Sequence, residues 1–274
     1  MIKKRTAFFI SDRTGITAEM LGHSLLTQFE GIEFEHVTIP FLDSLEKARD
    51  TAQRIDSIAE QDGTRPIVFS TLVNPKISAI VESAQALFVD CFRVFIAPLE
   101  AELGIRSSHA IGRAHAAVNV KEYHQRIEAV NYTLAHDDGV SVLDLESAQV
   151  ILTGVSRSGK TPTCLYLALQ FGIRSANYPL IPEDLERGKL PEHLHQHRDR
   201  VYGLTINPER LHKIRSERRP GSDYASLKNC RHEVRASEMM MRDAGIAYLD
   251  TTTKSIEELA TTVVQMAKLT RHVY

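Results

Sequence analysis

Eight consecutive residues constrain this chain more than anything else in it. Gly154-Val155-Ser156-Arg157-Ser158-Gly159-Lys160-Thr161 matches G-x-x-x-x-G-K-[ST] at every fixed position. The apolar run Val150-Ile151-Leu152 leads in as a strand, and residues 162–170 lead out as a helix. That is the setting the motif requires. The two glycines let the backbone curl so that successive N–H groups point at phosphate oxygens, the Lys reaches the terminal phosphates, and the Thr hydroxyl binds Mg²⁺. The following helix adds the positive end of its dipole, and Pro162 suits a first helical turn, where a missing N–H costs nothing. At ordinary residue usage a chain of this length matches by chance about once in a hundred. Residues 154–161 therefore read as a nucleotide-phosphate loop.

The rest of the chain supplies the sheets such a loop belongs to. In the first half, Ala7-Phe8-Phe9-Ile10 is a strand candidate, and a helix fits residues 17–29 with Ala18, Leu21, Leu25 and Phe29 on one face. Residues 34–41 read as a strand and 44–60 as a helix, with Leu45, Ala48, Ala52, Ile55 and Ala59 inward. Residues 66–70 and 92–96 read as strands separated by a helix near 75–86. The rhythm breaks at residues 104–119, around Gly104, Ser107, Ser108 and Gly112, where the connection between domains is placed. A helix at 121–134 and the turn His136-Asp137-Asp138-Gly139 follow. From Val140 the alternation resumes, with strands at 150–152, 201–206 and 246–249 and a closing helix at 255–269. Strand-helix alternation predicts α/β architecture with parallel sheets. The expected division is a Rossmann-like domain at 1–105, a connecting segment at 106–139 that carries the acidic turn, and a P-loop kinase domain at 140–274.

Composition narrows the function classes. The 33 Lys and Arg against 35 Asp and Glu give a net charge of −2, which argues against a dominant nucleic-acid surface. Cys91, Cys164 and Cys230 are scattered, with no CxxC for a zinc ribbon or a thioredoxin-like centre. They read as reduced thiols of a cytoplasmic protein. No apolar stretch approaches a membrane span.

Within the P-loop class, the guanine-reading N/T-K-x-D motif is absent, as is an apolar run ending in Asp-Glu. Runs ending in a single acid occur at Asp90, Asp144 and Asp250. This pattern points to a small kinase rather than a switch or a motor. Phosphoryl transfer needs a carboxylate to receive the acceptor proton and to help hold metal. The His136-Asp137-Asp138-Gly139 turn, at the sheet's edge near the loop, is a candidate, and Asp-Asp-Gly is equally good surface-turn chemistry. Arg210, Lys213, Arg215, Arg218 and Arg219 fit a helix with Leu211 and Ile214 inward and several cations outward, either a phosphate-neutralising lid or a solvated face. His193, His195 and His197 alternate, but the polar, proline-bearing residues 182–200 read as a mobile loop. Ser11 to Gly15 reads as a plain structural turn.

Several segments together resemble the phosphoenolpyruvate synthase regulatory proteins, a family shared with the regulators of pyruvate,phosphate dikinase. They are Ile10 through Glu19, Tyr132 through Gly139, Gly154 through Pro162, Gly172 through Leu180 and Gly203 through Leu211. The resemblance implies two opposed activities. One is ADP-dependent phosphorylation of a threonine on the target synthase, which inactivates it. The other is phosphate-dependent removal of that group with release of pyrophosphate. It makes Gly154 to Thr161 the ADP loop, Lys160 and His136 catalytic residues, Thr161 the metal ligand, and Asp137 of the same turn as His136 the catalytic carboxylate. ADP, inorganic phosphate and Mg²⁺ are the implied small molecules, and phosphoenolpyruvate synthase is the implied partner, with a homo-oligomer left open. The first domain would then grip the protein substrate. The family pattern leads one to expect an acid before Pro208, where this chain has Asn207, which can ligate but cannot take a proton. Other readings of the same residues are a dikinase regulator, a small-molecule kinase and a nucleotide-sensing module without catalysis.

Overall fold

The structure is a computed structural model that describes residues 3–108, 120–139 and 144–269. The chain divides into two compact units, Met1–Ala117 and Val118–Tyr274. The connection expected at residues 104–119 and the resumption expected at Val140, including Val142 and Leu143, lie largely outside the described residues.

The first unit opens with β1 (Lys3–Ile10), α1 (Ile16–Leu26), β2 (Ile32–Ile39) and α2 (Leu45–Asp62). It continues with β3 (Ile67–Ser70), α3 (Pro75–Glu82), β4 (Leu87–Asp90) and α4 (Arg93–Leu103). All strand pairs are parallel, in the order β2-β1-β3-β4. Alternate residues of a strand point to opposite faces. Accordingly Phe8, Ile10 and Val68 pack on Ala48 and Ile55 of α2 and Ile77 and Val81 of α3. Ala7, Phe9 and Phe69 pack on Ala18 and Leu26 of α1.

Three local expectations are corrected here. Helix α1 does not bury Leu25 and Phe29, which are exposed; it buries Ala18, Gly22 and Leu26. A Cβ on Gly22 would lie 2.5 Å from the Phe9 ring, so the helix rests on the sheet through its smallest residue. Residues 92–96 are not a strand but the start of α4, and the strand is the four-residue β4 before it. The Asp90 carboxylate decides this, because it accepts from the N–H groups of Phe92 at 3.0 Å and Arg93 at 2.8 Å and so satisfies the first turn of a helix. Leu45, expected inward on α2, is exposed.

The second unit begins with α5 (Val120–Ala135), followed by a short 3₁₀ turn at Leu145–Ser147. Next come β5 (Val150–Gly154), α6 (Lys160–Phe171), β6 (Ser175–Pro179), α7 (Pro182–Arg187) and α8 (Glu192–His195). After a 3₁₀ turn at Arg198–Arg200 come β7 (Val201–Thr205), α9 (Pro208–Arg218), α10 (Leu227–Asp243), β8 (Tyr248–Asp250) and α11 (Ile256–Met266). The sheet is again parallel, in the order β6-β5-β7-β8. One face packs Val150, Leu152 and Leu204 against Cys164 and Leu167 of α6 and Leu259 and Val263 of α11. The other packs Ile151, Ala176 and Val201 against Leu194, Met241 and Ile246.

Residues 182–200 are not a loop without structure, as expected, but two short helices and a 3₁₀ turn, pinned by the buried Leu185 and Leu194. His193 and His195 share a helical turn and so do not form one face of an extended segment. Helix α10, 17 residues long, has no counterpart in the expectations; it buries Cys230, Val234, Ser237 and Met241 at steps of four, three and four. Among the described residues no helix is long and apolar enough to cross a membrane.

Candidate functional site

In an open parallel sheet, ligands bind outside the carboxyl ends of the strands where the strand order reverses. In the second unit β5 lies between β6 and β7, so the chain leaves β5 at that reversal. The loop that follows is residues 154–161. Gly154 ends β5 at φ 139°, and a Cβ there would fall on the Leu204 carbonyl oxygen of β7. No other residue fits that position. Arg157 is exposed and held at φ 74°, an uncommon conformation for a non-glycine residue that concentrates at functional sites. Gly159 at φ 89° is the N-cap of α6, whose side chains do not cap it. The orphan N–H groups of a helix start thus open onto the loop. Pro162 falls in the first turn, as expected.

Inside the loop, Lys160 is 4% exposed, and its Nζ donates to the Val155 carbonyl oxygen at 2.9 Å. Burial pushes its ammonium pKa down to about 8, against the upward pull of Asp138 and Asp137. Ser158 Oγ is buried without a hydrogen-bond partner. A curl lined by N–H groups, a buried cation and an unpartnered hydroxyl suits an anion with several oxygens.

The acidic turn reaches the loop across the sheet edge. Asn177 on β6 donates its backbone N–H to the His136 carbonyl at 2.9 Å, and its own carbonyl accepts from the Gly139 N–H at 3.0 Å. Residues 136–139 are thereby fastened to the outer side of β6. This places the Asp137 carboxylate against the loop, where its Oδ1 accepts from the Thr161 hydroxyl at 2.9 Å. Asn177 Nδ2 sits 2.6 Å from Asp137 Oδ1, 2.9 Å from Thr161 Oγ1 and 3.3 Å from Asp138 Oδ1. Asn177 is 2% exposed, and its Oδ1 is buried without a hydrogen-bond partner. Asp138, with φ 51°, is exposed. The His136 ring stacks on Tyr132 at 4.0 Å, and its Nδ1–H donates to the Tyr132 carbonyl at 2.8 Å.

Among the described residues no group of three or more His, Cys, Asp and Glu is arranged to hold a metal. Mg²⁺, however, takes one or two carboxylates with phosphate oxygens and waters rather than an all-protein cage. The Thr161 hydroxyl and the Asp137 carboxylate are hard oxygen donors of that kind, so these residues fit the ion.

Other sequence candidates lie elsewhere. Asn207 is the N-cap of α9, accepting from the Arg210 N–H at 3.0 Å. Asp90 accepts from the Phe92 and Arg93 N–H groups at the start of α4 and Asp250 from the Thr252 N–H at 2.8 Å, so both are occupied by local backbone. Arg210, Lys213, Arg218 and Arg219 are exposed, in keeping with several cations outward, whereas Arg215 is fully buried. Arg215 sits one turn beyond Leu211 on the inward face of α9 and meets Glu233 of α10 at 2.7 Å. His193 packs on Tyr178 with ring centroids 4.7 Å apart. Asn177 is not among the site residues expected from the sequence. Its one signal is an amide in the buried strand Ser-Ala-Asn-Tyr-Pro.

The sequence pattern of the kinase/pyrophosphorylase family matches residues 7–264. A protein of Aromatoleum aromaticum is 59% identical over 271 residues, 98% of each chain. Proteins of Burkholderia thailandensis and Burkholderia mallei are 57% and 56% identical over 269 residues, 98% of this chain and 99% of theirs. All three carry the provisional name phosphoenolpyruvate synthase regulatory protein.

Proposed function

The chain belongs to the kinase/pyrophosphorylase family, and on that premise we propose that it regulates phosphoenolpyruvate synthase by moving one phosphoryl group on and off a threonine of that enzyme. The observation that carries this reading is the cluster of Asp137, Thr161 and Asn177 at the mouth of a complete phosphate loop. It brings a carboxylate to the one hydroxyl that the loop chemistry assigns to metal and phosphate.

In the forward direction the target threonine oxygen bonds to the β-phosphorus of ADP. The bond from that phosphorus to the bridging oxygen breaks, AMP leaves, and Asp137 takes the hydroxyl proton. In the reverse direction an oxygen of inorganic phosphate bonds to the phosphothreonine phosphorus. The bond to the threonine oxygen breaks, pyrophosphate leaves, and the proton that phosphate carried passes through Asp137 to the threonine. Lys160 and the loop N–H groups stabilise the charge on the transferred group in both directions. Mg²⁺ held by Thr161 and Asp137 would neutralise charge on the phosphate oxygens. His136 anchors the turn through Tyr132, and Asn177 aims the carboxylate.

The first unit supplies the grip on the target protein. Helix α4 supports this: none of its residues is buried, and Val94, Phe95, Leu99 and Leu103 are each more than half exposed. The three free, buried thiols suit a cytoplasmic setting. The test is incubation with phosphoenolpyruvate synthase and ADP labelled in the β-phosphate. Label on a synthase threonine, and its recovery as pyrophosphate after adding phosphate, is the expected result. Label that never leaves ADP refutes the reading.

A further inference from the structure

Among the described residues the largest fully buried side chain is a cation, Arg215, and nothing in the transfer chemistry above uses it. Its surroundings explain why a guanidinium is there. One arm, Nη2, donates to Glu233 Oε2 at 2.7 Å and to the Ser156 carbonyl oxygen of the phosphate loop at 3.0 Å. The other, Nη1, donates to the Tyr224 carbonyl at 3.0 Å, and the guanidinium lies 4.1 Å from the centre of the Tyr224 ring. Glu233 is held in turn by Asn229, whose Nδ2 donates to Oε1 at 2.8 Å. The Tyr224 hydroxyl closes the ring, 2.9 Å from Ser156 Oγ. Residue Ser156 is therefore fixed twice, at its carbonyl by Arg215 and at its hydroxyl by Tyr224.

We infer that Arg215, with Tyr224, is a positioning residue of the phosphate loop, holding Ser156 so that the loop keeps the curl that receives a diphosphate. The inference rests on the nucleotide reading given above. Its mechanical logic is local. Ser156 precedes Arg157, the residue held at φ 74°, and a strained conformation persists only where its surroundings over-determine it. A planar fork with fixed donors can bridge a carboxylate and two backbone carbonyls at once, which an ammonium on a flexible stem cannot.

The experiment compares ADP binding to wild type, Arg215→Lys and Tyr224→Phe by isothermal titration, with thermal unfolding of each. Arg215→Lys keeps a cation opposite Glu233 and gives up the fork; Tyr224→Phe removes one hydroxyl. The ADP dissociation constant is expected to rise about tenfold in the first and about threefold in the second. The double variant should lose less than the product of the two, because both act on Ser156. A merely structural role would lower the unfolding midpoint and the binding stoichiometry while the folded fraction kept wild-type affinity, and that result overturns the inference. If Arg215→Lys does not fold, Tyr224→Phe decides alone, and wild-type affinity in it is the overturning result. A wild type that binds no ADP overturns the nucleotide reading itself, and the inference with it.

Discussion

Raising the pH should weaken ADP binding through the Lys160 ammonium. In the folded chain its pKa falls from 10.5 to about 8, chiefly through burial. The protonated form is the one that attracts phosphate, and a bound diphosphate in turn holds the proton on. Between pH 7.5 and 9.5 the protonated fraction of a group with that pKa drops about 25-fold, so the ADP dissociation constant should rise by about that factor. Near pH 8 binding should take up about half a proton per site. Titration calorimetry in two buffers of different ionisation enthalpy reads both quantities at once. A dissociation constant flat across that range, with no proton uptake, would show that Lys160 does not meet the phosphates or is not held at a lowered pKa.

The same shift has a stability side. Below pH 8 the folded and unfolded chains both carry the Lys160 proton, and the folded state bears the full cost of a buried charge. From pH 8 to 10.5 only the unfolded chain keeps the proton, so this contribution to stability rises with pH; above that range both forms are neutral and it vanishes. The fall in pKa corresponds to about 3 kcal/mol. Lys160→Met should therefore abolish ADP binding and both transfer directions while raising the unfolding midpoint at pH 7. A variant that lost binding and stability together would point to collapse of the loop instead.

Asp137→Asn should cut transfer by a factor on the order of a hundred or more while changing ADP affinity far less, because the amide keeps the shape but takes no proton; unchanged turnover at saturating ADP would move Asp137 to a binding role. Asn177→Ala removes the amide that holds Asp137 and Thr161 together and should cost about 2 kcal/mol in urea unfolding, with a larger proportional loss in transfer rate than in ADP affinity. Gly154→Ala sets a methyl against the Leu204 carbonyl at a φ that side chains avoid and should destabilise by about 3 kcal/mol, read as a lower urea midpoint; an unchanged midpoint would contradict the close approach of β5 and β7. Replacing Phe95 and Leu99 together with Ser should raise the KM for the target protein and leave ADP affinity alone, and the opposite pattern would remove α4 from the grip.

How much of this is legible in the sequence depends on whether the deciding partner is near in the chain. The strand, turn and helix around residues 154–161 read in full because their geometry is set by the loop's own glycines and the elements that flank it. The acidic turn reads nearly as well, since turn chemistry places residues 136–139 at a sheet edge, and they are fastened there to β6. Helix α4 misleads because Phe92-Arg93-Val94-Phe95-Ile96 is as apolar as a buried strand, and period alone does not separate a short apolar strand from the start of a helix. The sign that separates them is Asp90, two and three residues ahead of the N–H groups it accepts from. Residues 182–200 mislead for a similar reason: their prolines and histidines read as loop, and only the burial of Leu185 and Leu194 makes short helices worthwhile.

Arg215 and Asn177 are harder because their partners are remote. Glu233 lies eighteen residues from Arg215, and Asp137 forty from Asn177. Yet each leaves a mark that the periodicity itself exposes. Asn177 occupies a buried position of β6, and Arg215 follows Leu211 by one turn on the buried face of α9. Glu233 does the same beside Val234 on α10. A charged or amide side chain at an inward position must find a partner or carry a large desolvation cost. Those three positions, chosen by pattern alone, all lead back to the loop at residues 154–161. Asn177 meets it at Thr161, and Arg215, held by Glu233, meets it at Ser156. Three polar residues that break an apolar face, Asn177, Arg215 and Glu233, thus tie the framework of the second unit to residues 154–161.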